Sequence, residues 1–327
     1  MDAFVGTRRR LLRAAVATVA SGLALGLAGC GSGSEGGGSG GESITITHAR
    51  GETEVNGIPR RIVTLGNQWL DTALSLDAIP VGYIDNVAIA SNATPPWQPD
   101  KLGSSKSISS IADVAEQVAA LEPDLILVDP FIADQKTYDD LSRVAPTVPG
   151  LSKDAVSRWQ DQVTTLGKIL GKQDAAAKVI SGVEDKVSGI VAANPGLKGK
   201  TFASTWLGSP SQLMVLTDPE DGSARVFAEL GMGIPRNLVD QPSTGGRLAL
   251  STERIDEVTA DLLLAGYSPG FDEKYRRLPG YAELPAVKKN AVVFLTTLEI
   301  TAVNQPTALS VPYILDKLNP ALVSVAE

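Results

Sequence analysis

Two hydrophobic periods divide the chain. Ile44 to Val55, ITITHARGETEV, alternates apolar and polar residues and breaks at Gly51, which predicts a β-hairpin. Arg61 to Leu65 is a short apolar strand, and Asn67 to Leu76 follows as a helix with Leu70, Ala73 and Leu74 on one face. Pro80 to Tyr83 reads as a strand. Ile111 to Leu121 is helical, with Val114, Val118 and Leu121 at helical spacing, and leads into a strand at Asp124 to Val128. A helix over about 134–144 stops ahead of Pro146. From Ala155 to Ala193 the pattern is helical almost throughout, with a break at Gly171, Asp174 as N-cap of the second piece, and Asn194-Pro195-Gly196 as its end. About 20 residues of helix span about 30 Å, enough for a strut between two bodies.

The alternation then restarts. Thr201 to Trp206 and Leu213 to Leu216 are strands, and Gly222 to Leu230 is a helix. A helix near Phe271 to Arg277, a strand at Ala291 to Leu295 and a last helix over about 306–318 complete the chain. One unit occurs twice: AEQVAALEPDLILVDP at 115–130 is echoed by TERIDEVTADLLLA at 252–265. In each, a Glu (Glu116, Glu253) heads a helix, and an Asp eight positions on (Asp124, Asp261) leads a strand. Short buried strands alternating with helices predict parallel sheets covered on both faces. The fold class is therefore α/β, and two lobes joined by one long helix (44–172, the helix 173–196, and 197–327) account for the whole pattern; the alternative, one continuous doubly wound domain, has to explain a long helix in mid-chain.

Residues ahead of 44 are not part of that fold. Arg8, Arg9, Arg10 and Arg13 form a basic head, and 14–29 is an apolar run too short to span a membrane. The run ends in Leu27-Ala28-Gly29-Cys30, similar to a bacterial lipobox, and Thr7 to Arg13 is similar to a twin-arginine export signal. Residues 1–29 are thus a signal peptide, Cys30 the lipidation site, and 30–43 a Gly/Ser tether holding the protein to the outer face of the cytoplasmic membrane. Cys30 is the sole cysteine, so the mature chain has no disulfide. Removing the leader lowers the net charge from −8 to −11. So acidic a domain argues against nucleic acid as a partner.

Catalytic chemistry has little to work with. His48 is the single histidine, which leaves Ser-His-Asp and multi-His zinc arrangements without a base or ligands. No Gly-rich phosphate loop follows a strand, and no serine elbow between glycines is present. The chain reads as a binding protein rather than an enzyme.

Ligands of open α/β sheets sit beyond the carboxyl ends of the strands. Those ends carry Asn67, Gln68 and Trp69 after the first strand, Tyr83, then Trp97 in the following loop, Trp206, and Tyr267. Such rings suit a large, flat or partly apolar ligand. Arg225 and Arg247, the latter in the loop GGRLALS, would complement an anionic one.

The ordered motifs Arg60-Arg61-Ile62-Val63-Thr64-Leu65, Ala78-Ile79-Pro80-Val81-Gly82-Tyr83, Glu116 to Leu127, Ala145-Pro146-Thr147-Val148, Leu250-Ser251-Thr252-Glu253-Arg254-Ile255 and Leu284-Pro285-Ala286-Val287-Lys288 resemble those of a known family. It is that of the substrate-binding lipoproteins of ABC importers for ferric siderophores, haem and cobalamin. The resemblance covers nearly all of 44–327. It implies two Rossmann-like lobes with the ligand cleft between them, a monomer, a ferric siderophore as cargo, and a membrane permease as partner. Iron would arrive inside the siderophore, so no cofactor of the protein's own is implied. Haem and cobalamin stay open, Tyr83 or Tyr267 being able to serve a haem iron. The resemblance also implies that Glu116 and Glu253, one per lobe, meet arginines of the permease.

Overall fold

The computed structural model describes residues 43–153 and 156–327. The leader, Cys30 and the tether lie outside the described residues. A hairpin of β1 (Ser43–His48) and β2 (Gly51–Asn56) comes first. The first lobe follows with β3 (Ile62–Leu65), α1 (Asn67–Ser75), β4 (Gly82–Ile84), α2 (Asn86–Ser91), β5 (Lys106–Ser107), α3 (Val114–Ala119), β6 (Leu125–Val128), α4 (Gln135–Ser142) and β7 (Thr147–Val148). Its sheet has the order β5-β4-β3-β6-β7 with every pair parallel. Helices cover both faces, so β3 and β6 are buried at every residue and read as unbroken apolar runs.

Two helices, α5 (Trp159–Ile169) and α6 (Gln173–Ala193), lead to the second lobe, with Gly171 at φ 63° making the turn between them. That lobe contains β8 (Phe202–Ser209), β9 (Gln212–Leu216), α7 (Gly222–Glu229), α8 (Arg236–Val239), β10 (Arg247–Ser251), β11 (Leu262–Tyr267), α9 (Asp272–Arg276), α10 (Pro285–Lys288), β12 (Val292–Leu295), α11 (Thr297–Asn304) and α12 (Ser310–Ala326). The order is β10-β9-β8-β11-β12; β8, β11 and β12 run parallel, while β9 is antiparallel to both of its neighbours, β8 and β10.

The duplicated unit has a structural counterpart. β6 and β11 stand fourth in their sheets, each beside the strand that opens its lobe. Asp124, just ahead of β6, accepts backbone N–H bonds from Arg60 (2.7 Å) and Arg61 (2.8 Å), just ahead of β3. Asp261, just ahead of β11, accepts the Thr201 N–H and hydroxyl (3.0 Å each), just ahead of β8. The two aspartates therefore do one job twice: each locks the starting register of its lobe's central strand pair.

Several elements depart from the sequence pattern. The helix after the first Glu is short, Val114–Ala119, because Asp113 caps it. The helix expected after Glu253 is a 3-10 run, Thr252–Glu257, irregular at Arg254, since only Thr252 and Ile255 reach the core. GGRLALS is not a loop: Leu248 and Leu250 alternate inward as β10 pairs with β9. Lys172, not Asp174, occupies the N-cap of α6, and Asp174 sits in the first turn. The last helix starts later, at Ser310, and runs through Pro320 to Ala326. Burial of Leu318, Ala321, Leu322 and Val325 outweighs the roughly 3 kcal/mol that an interior proline costs.

A single apolar core runs through both lobes. It joins Trp69, Leu125 and Leu127 of the first lobe, Trp159 and Val163 of α5, Phe202, Leu262 and Leu264 of the second lobe, and Leu315, Leu318 and Leu322 of α12. Separate clusters cover the opposite faces: Val63, Ile84, Val118 and Ile126 in the first lobe, and Leu207, Leu250, Ile255 and Tyr275 in the second. α6 buries only Ala176, Val183 and Val187 on one stripe, and Lys186 pairs with Asp316 of α12 at 2.6 Å. The linking helix is thus one member of a helical layer rather than a bare strut.

Candidate functional site

The carboxyl end of β3 sets the geometry. Gly66 adopts φ 115°, ψ 156°, a conformation open to glycine alone, and starts α1 with no side-chain cap of its own. Asp129, at the end of β6, supplies the cap from the neighbouring strand: its carboxylate accepts the backbone N–H of Gln68 (2.9 Å) and of Trp69 (3.4 Å). A Cβ on residue 66 would stand 2.3 Å from Asp129 Oδ2. One turn further along α1, the fully buried Asp71 accepts bonds from Trp97, Gln98 and Thr307.

Burial pushes the pKa of both Asp71 and Asp129 up to about 7. The folded state therefore holds protons that the unfolded chain has already released, and stability is gained on acidification and lost as pH rises through 7. His48, held below its usual value by burial, opposes this only at more acid pH. From pH 8 to 6.5 the urea midpoint is expected to rise, with a slope of up to about 1.4 kcal/mol per pH unit for each carboxylate. Asp129→Asn should remove one share of that slope; a midpoint that falls over this window contradicts the assignment.

The lobes meet at the strand ends. Gln68 Nε2 donates to the carbonyls of Pro306 (3.2 Å) and Ser157 (3.4 Å), and Asn86 Nδ2 to Gln305 Oε1 (3.4 Å). Beside this joint, a cavity of about 590 Å³ opens at the ends of β4 and β5, with Tyr83, Asp85, Ile89, Gln98, Asp100 and Ser107 in its wall. A second hollow, of about 450 Å³, lies between Ser91, Ala93 and Pro96 of the first lobe and Pro269, Thr296 and Tyr313 of the second.

Among the residues expected to face a ligand, Tyr83 lies on the cavity wall. Trp97 is half-buried, its indole N–H on Asp71 (2.9 Å) and its ring 5.3 Å from that of Tyr313. Trp206 is half-buried beside the shared core, and Tyr267 ends β11 with its ring 6.3 Å from Phe294. Asn67, Gln68 and Trp69 are at most 1 % exposed. α1 turns Gln68 into the lobe joint and the indole into the core, and Asn67 is buried with its Oδ1 unpartnered, so none of the three offers open surface. Neither arginine is a free charge: Arg225 pairs with Glu220, and Arg247 with the buried Asp221 at 3.0 Å.

Three residues with a place at these strand ends carry no polar signal and are missed by a search for rings and charges. Ile89, Ile111 and Phe131 follow β4, β5 and β6 and are 57 %, 97 % and 55 % exposed. Large apolar side chains directly after three strands of one sheet are the available sequence cue. Glu116 and Glu253 are both exposed, and neither carboxylate joins an ion pair among the described residues. Among the described residues no cluster of His, Cys, Asp and Glu could hold a metal ion.

Comparison with known proteins follows this geometry. The chain is 30% identical over 279 residues to the ferric enterobactin-binding periplasmic protein FepB of Escherichia coli, spanning 77% of this chain and 83% of that protein. It is 27% identical over 228 residues to a probable siderophore-binding lipoprotein, YfiY, of Bacillus subtilis, covering 67% of each. Among solved structures, Streptococcus pneumoniae PiaA in complex with ferrichrome superposes with a TM-score of 0.70 at 24% identity, over 86% of this chain and 98% of that one. Staphylococcus aureus SirA complexed with staphyloferrin B gives 0.68 at 24% identity, over 84% and 98%. These structures share the fold of two α/β lobes with a cleft. A family model described as periplasmic binding protein matches residues 71–297, well over half of the length, and the chain belongs to that family.

Proposed function

We propose that the protein captures a ferric siderophore outside the cytoplasmic membrane and hands it to an ABC-type permease. The observation that carries this reading is the 590 Å³ cavity walled by Tyr83 and Ile89 at the strand ends, beside the joint of two lobes. That volume lies within the roughly 300–1,000 Å³ of small-molecule sites. Siderophore-binding relatives support the choice of cargo. The iron comes with its own ligands, so the wall needs only rings, apolar surface and polar second contacts. In the same reading Cys30 carries the lipid anchor, and Glu116 and Glu253 face the permease.

The walls also bear on which chelate fits. The larger hollow carries Asp85 and Asp100, while Glu299 in the second is paired with Lys317, and Arg225 and Arg247 are already neutralised by partners. A neutral ferric tris-hydroxamate is expected to bind at least ten-fold more tightly than a triply negative ferric tris-catecholate, a difference of about 1.4 kcal/mol. Quenching of tryptophan fluorescence, with Trp97 and Trp206 contributing, measures both. Tighter binding of the anion overturns the charge preference. No response to any ferric chelate, against a response to haem or cobalamin, overturns the cargo.

A further inference from the structure

Asp71 stands at the crossing of three segments. It projects from α1; Trp97 and Gln98 belong to the loop 92–105 that follows α2; Thr307 lies in the second lobe between α11 and α12. Asp71 Oδ2 accepts the Trp97 indole N–H (2.9 Å) and the Thr307 hydroxyl (2.7 Å), and Oδ1 accepts the Gln98 amide (2.8 Å). Gln98 is itself part of the cavity wall, and Trp97 leans on Tyr313, which lines the hollow between the lobes.

The directions of the Trp97 and Thr307 bonds are fixed by chemistry. An indole N–H and an amide NH₂ can only donate. The Thr307 oxygen accepts the backbone N–H of Ser310 (2.9 Å), leaving its proton for Asp71. Three partners converge on one carboxyl group: Oδ2 serves Trp97 and Thr307, and Oδ1 serves the Gln98 amide. The charged groups facing it are Asp85, from the start of α2, and Asp129, from the end of β6, and both repel it. Hydrogen bonds alone hold the charge in place, and a proton on Oδ1 keeps all three contacts if the Gln98 amide turns its oxygen toward it.

We propose that Asp71 is a positioning residue for the ligand cavity, whose carboxylate ties the cavity loop at Trp97 and Gln98 to the second lobe at Thr307. The loop and the lobe joint then move as one body, and movement of Gln98 against a bound ligand is transmitted to Thr307. The role toward a ligand rests on the binding-protein reading above; the tie between loop and lobe does not.

Hydrogen–deuterium exchange on the purified protein, corrected for intrinsic rates, tests the tie. At pH 8, Asp71→Asn is expected to speed exchange of 92–105 and of 305–309 by ten-fold or more, with β3 and β8 unchanged. Thr307→Val, which removes only the second-lobe donor, should speed exchange in 92–105 although it lies some 200 residues away in sequence. Wild-type exchange in both segments should slow between pH 8 and 6, because the closed arrangement binds the Asp71 proton more tightly than an opened one, and Asp71→Asn should abolish that pH dependence. A loop unaffected by Thr307→Val, or a pH dependence that survives in Asp71→Asn, overturns the proposal. Binding of a ferric tris-hydroxamate, measured in parallel, should weaken about ten-fold in Asp71→Asn and also in Thr307→Val, which lies outside the cavity wall. Wild-type affinity in both variants overturns the positioning role. If wild type binds no ferric chelate, the cargo reading fails, while the exchange results still decide the tie.

Discussion

Cells carrying Glu116→Ala together with Glu253→Ala are expected to lose ferric-chelate import by ten-fold or more, while the purified variant binds the chelate as wild type does. Each Glu stands in the first turn of a capped segment: Asp113 accepts the Glu116 N–H at 3.0 Å, and Ser251 the Glu253 N–H at 3.3 Å. Below them, Val118 and Ile255 anchor the segments in the outer cores of the two lobes, away from the cavity walls. The carboxylates are therefore presented on firm supports, exposed and without ion-pair partners among the described residues. An exposed ion pair contributes only about 0–1 kcal/mol, so a single substitution should reduce import modestly. Two contacts far apart fix the orientation of docking, and removing both removes the register. Normal import by the double variant, with protein level unchanged, would refute the docking role.

Gly66→Ala is expected to be the most damaging single change in the first lobe, with a loss of about 4 kcal/mol or more in urea unfolding. Two independent costs add. The backbone at φ 115°, ψ 156° strains any residue with a side chain by roughly 1–3 kcal/mol. The new Cβ would also collide with Asp129 at 2.3 Å, and Asp129 cannot retreat without releasing the Gln68 and Trp69 N–H groups it caps. Against a typical total of about 5–15 kcal/mol, such a loss leaves little. Gly103, where a Cβ meets nothing within 4 Å, is the matched control, and Gly103→Ala should be within about 0.5 kcal/mol of wild type. Equal stability of the two variants would contradict this account.

The α/β fold was legible because period and burial agree. β3 and β6 are buried on both faces and read as apolar runs, and the paired Asp124 and Asp261 mark the repeat before any coordinate is known. α11 escaped, although Thr296-Thr297-Leu298-Glu299 spells the capping box that starts it. Its apolar residues are spread around the helix, so no single-sided stripe announces it. The site was half legible for a different reason. Sequence places residues at strand ends but does not say how the next helix turns them. α1 rotates Trp69 into the core and Gln68 into the lobe joint, while α2 leaves Ile89 on the cavity wall. The two arginines illustrate a second limit: their neutralising partners, Glu220 and Asp221, are visible only once the chain is folded.

The core that runs unbroken from Leu127 through Trp159 to Phe202 and Leu318 bears on how such proteins can diversify. A chimaera that joined one lobe of this protein to the other lobe of a relative would cut through shared packing and leave mismatched volumes on both sides of the seam, at several kcal/mol for each misfit. Wholesale exchange of lobes is thereby closed as a route to a new cargo. Recombination of the strand-end segments is not, because Ile111 and Phe131 project from loops, and Ile89 from the short helix α2, while the supporting strands can stay as they are.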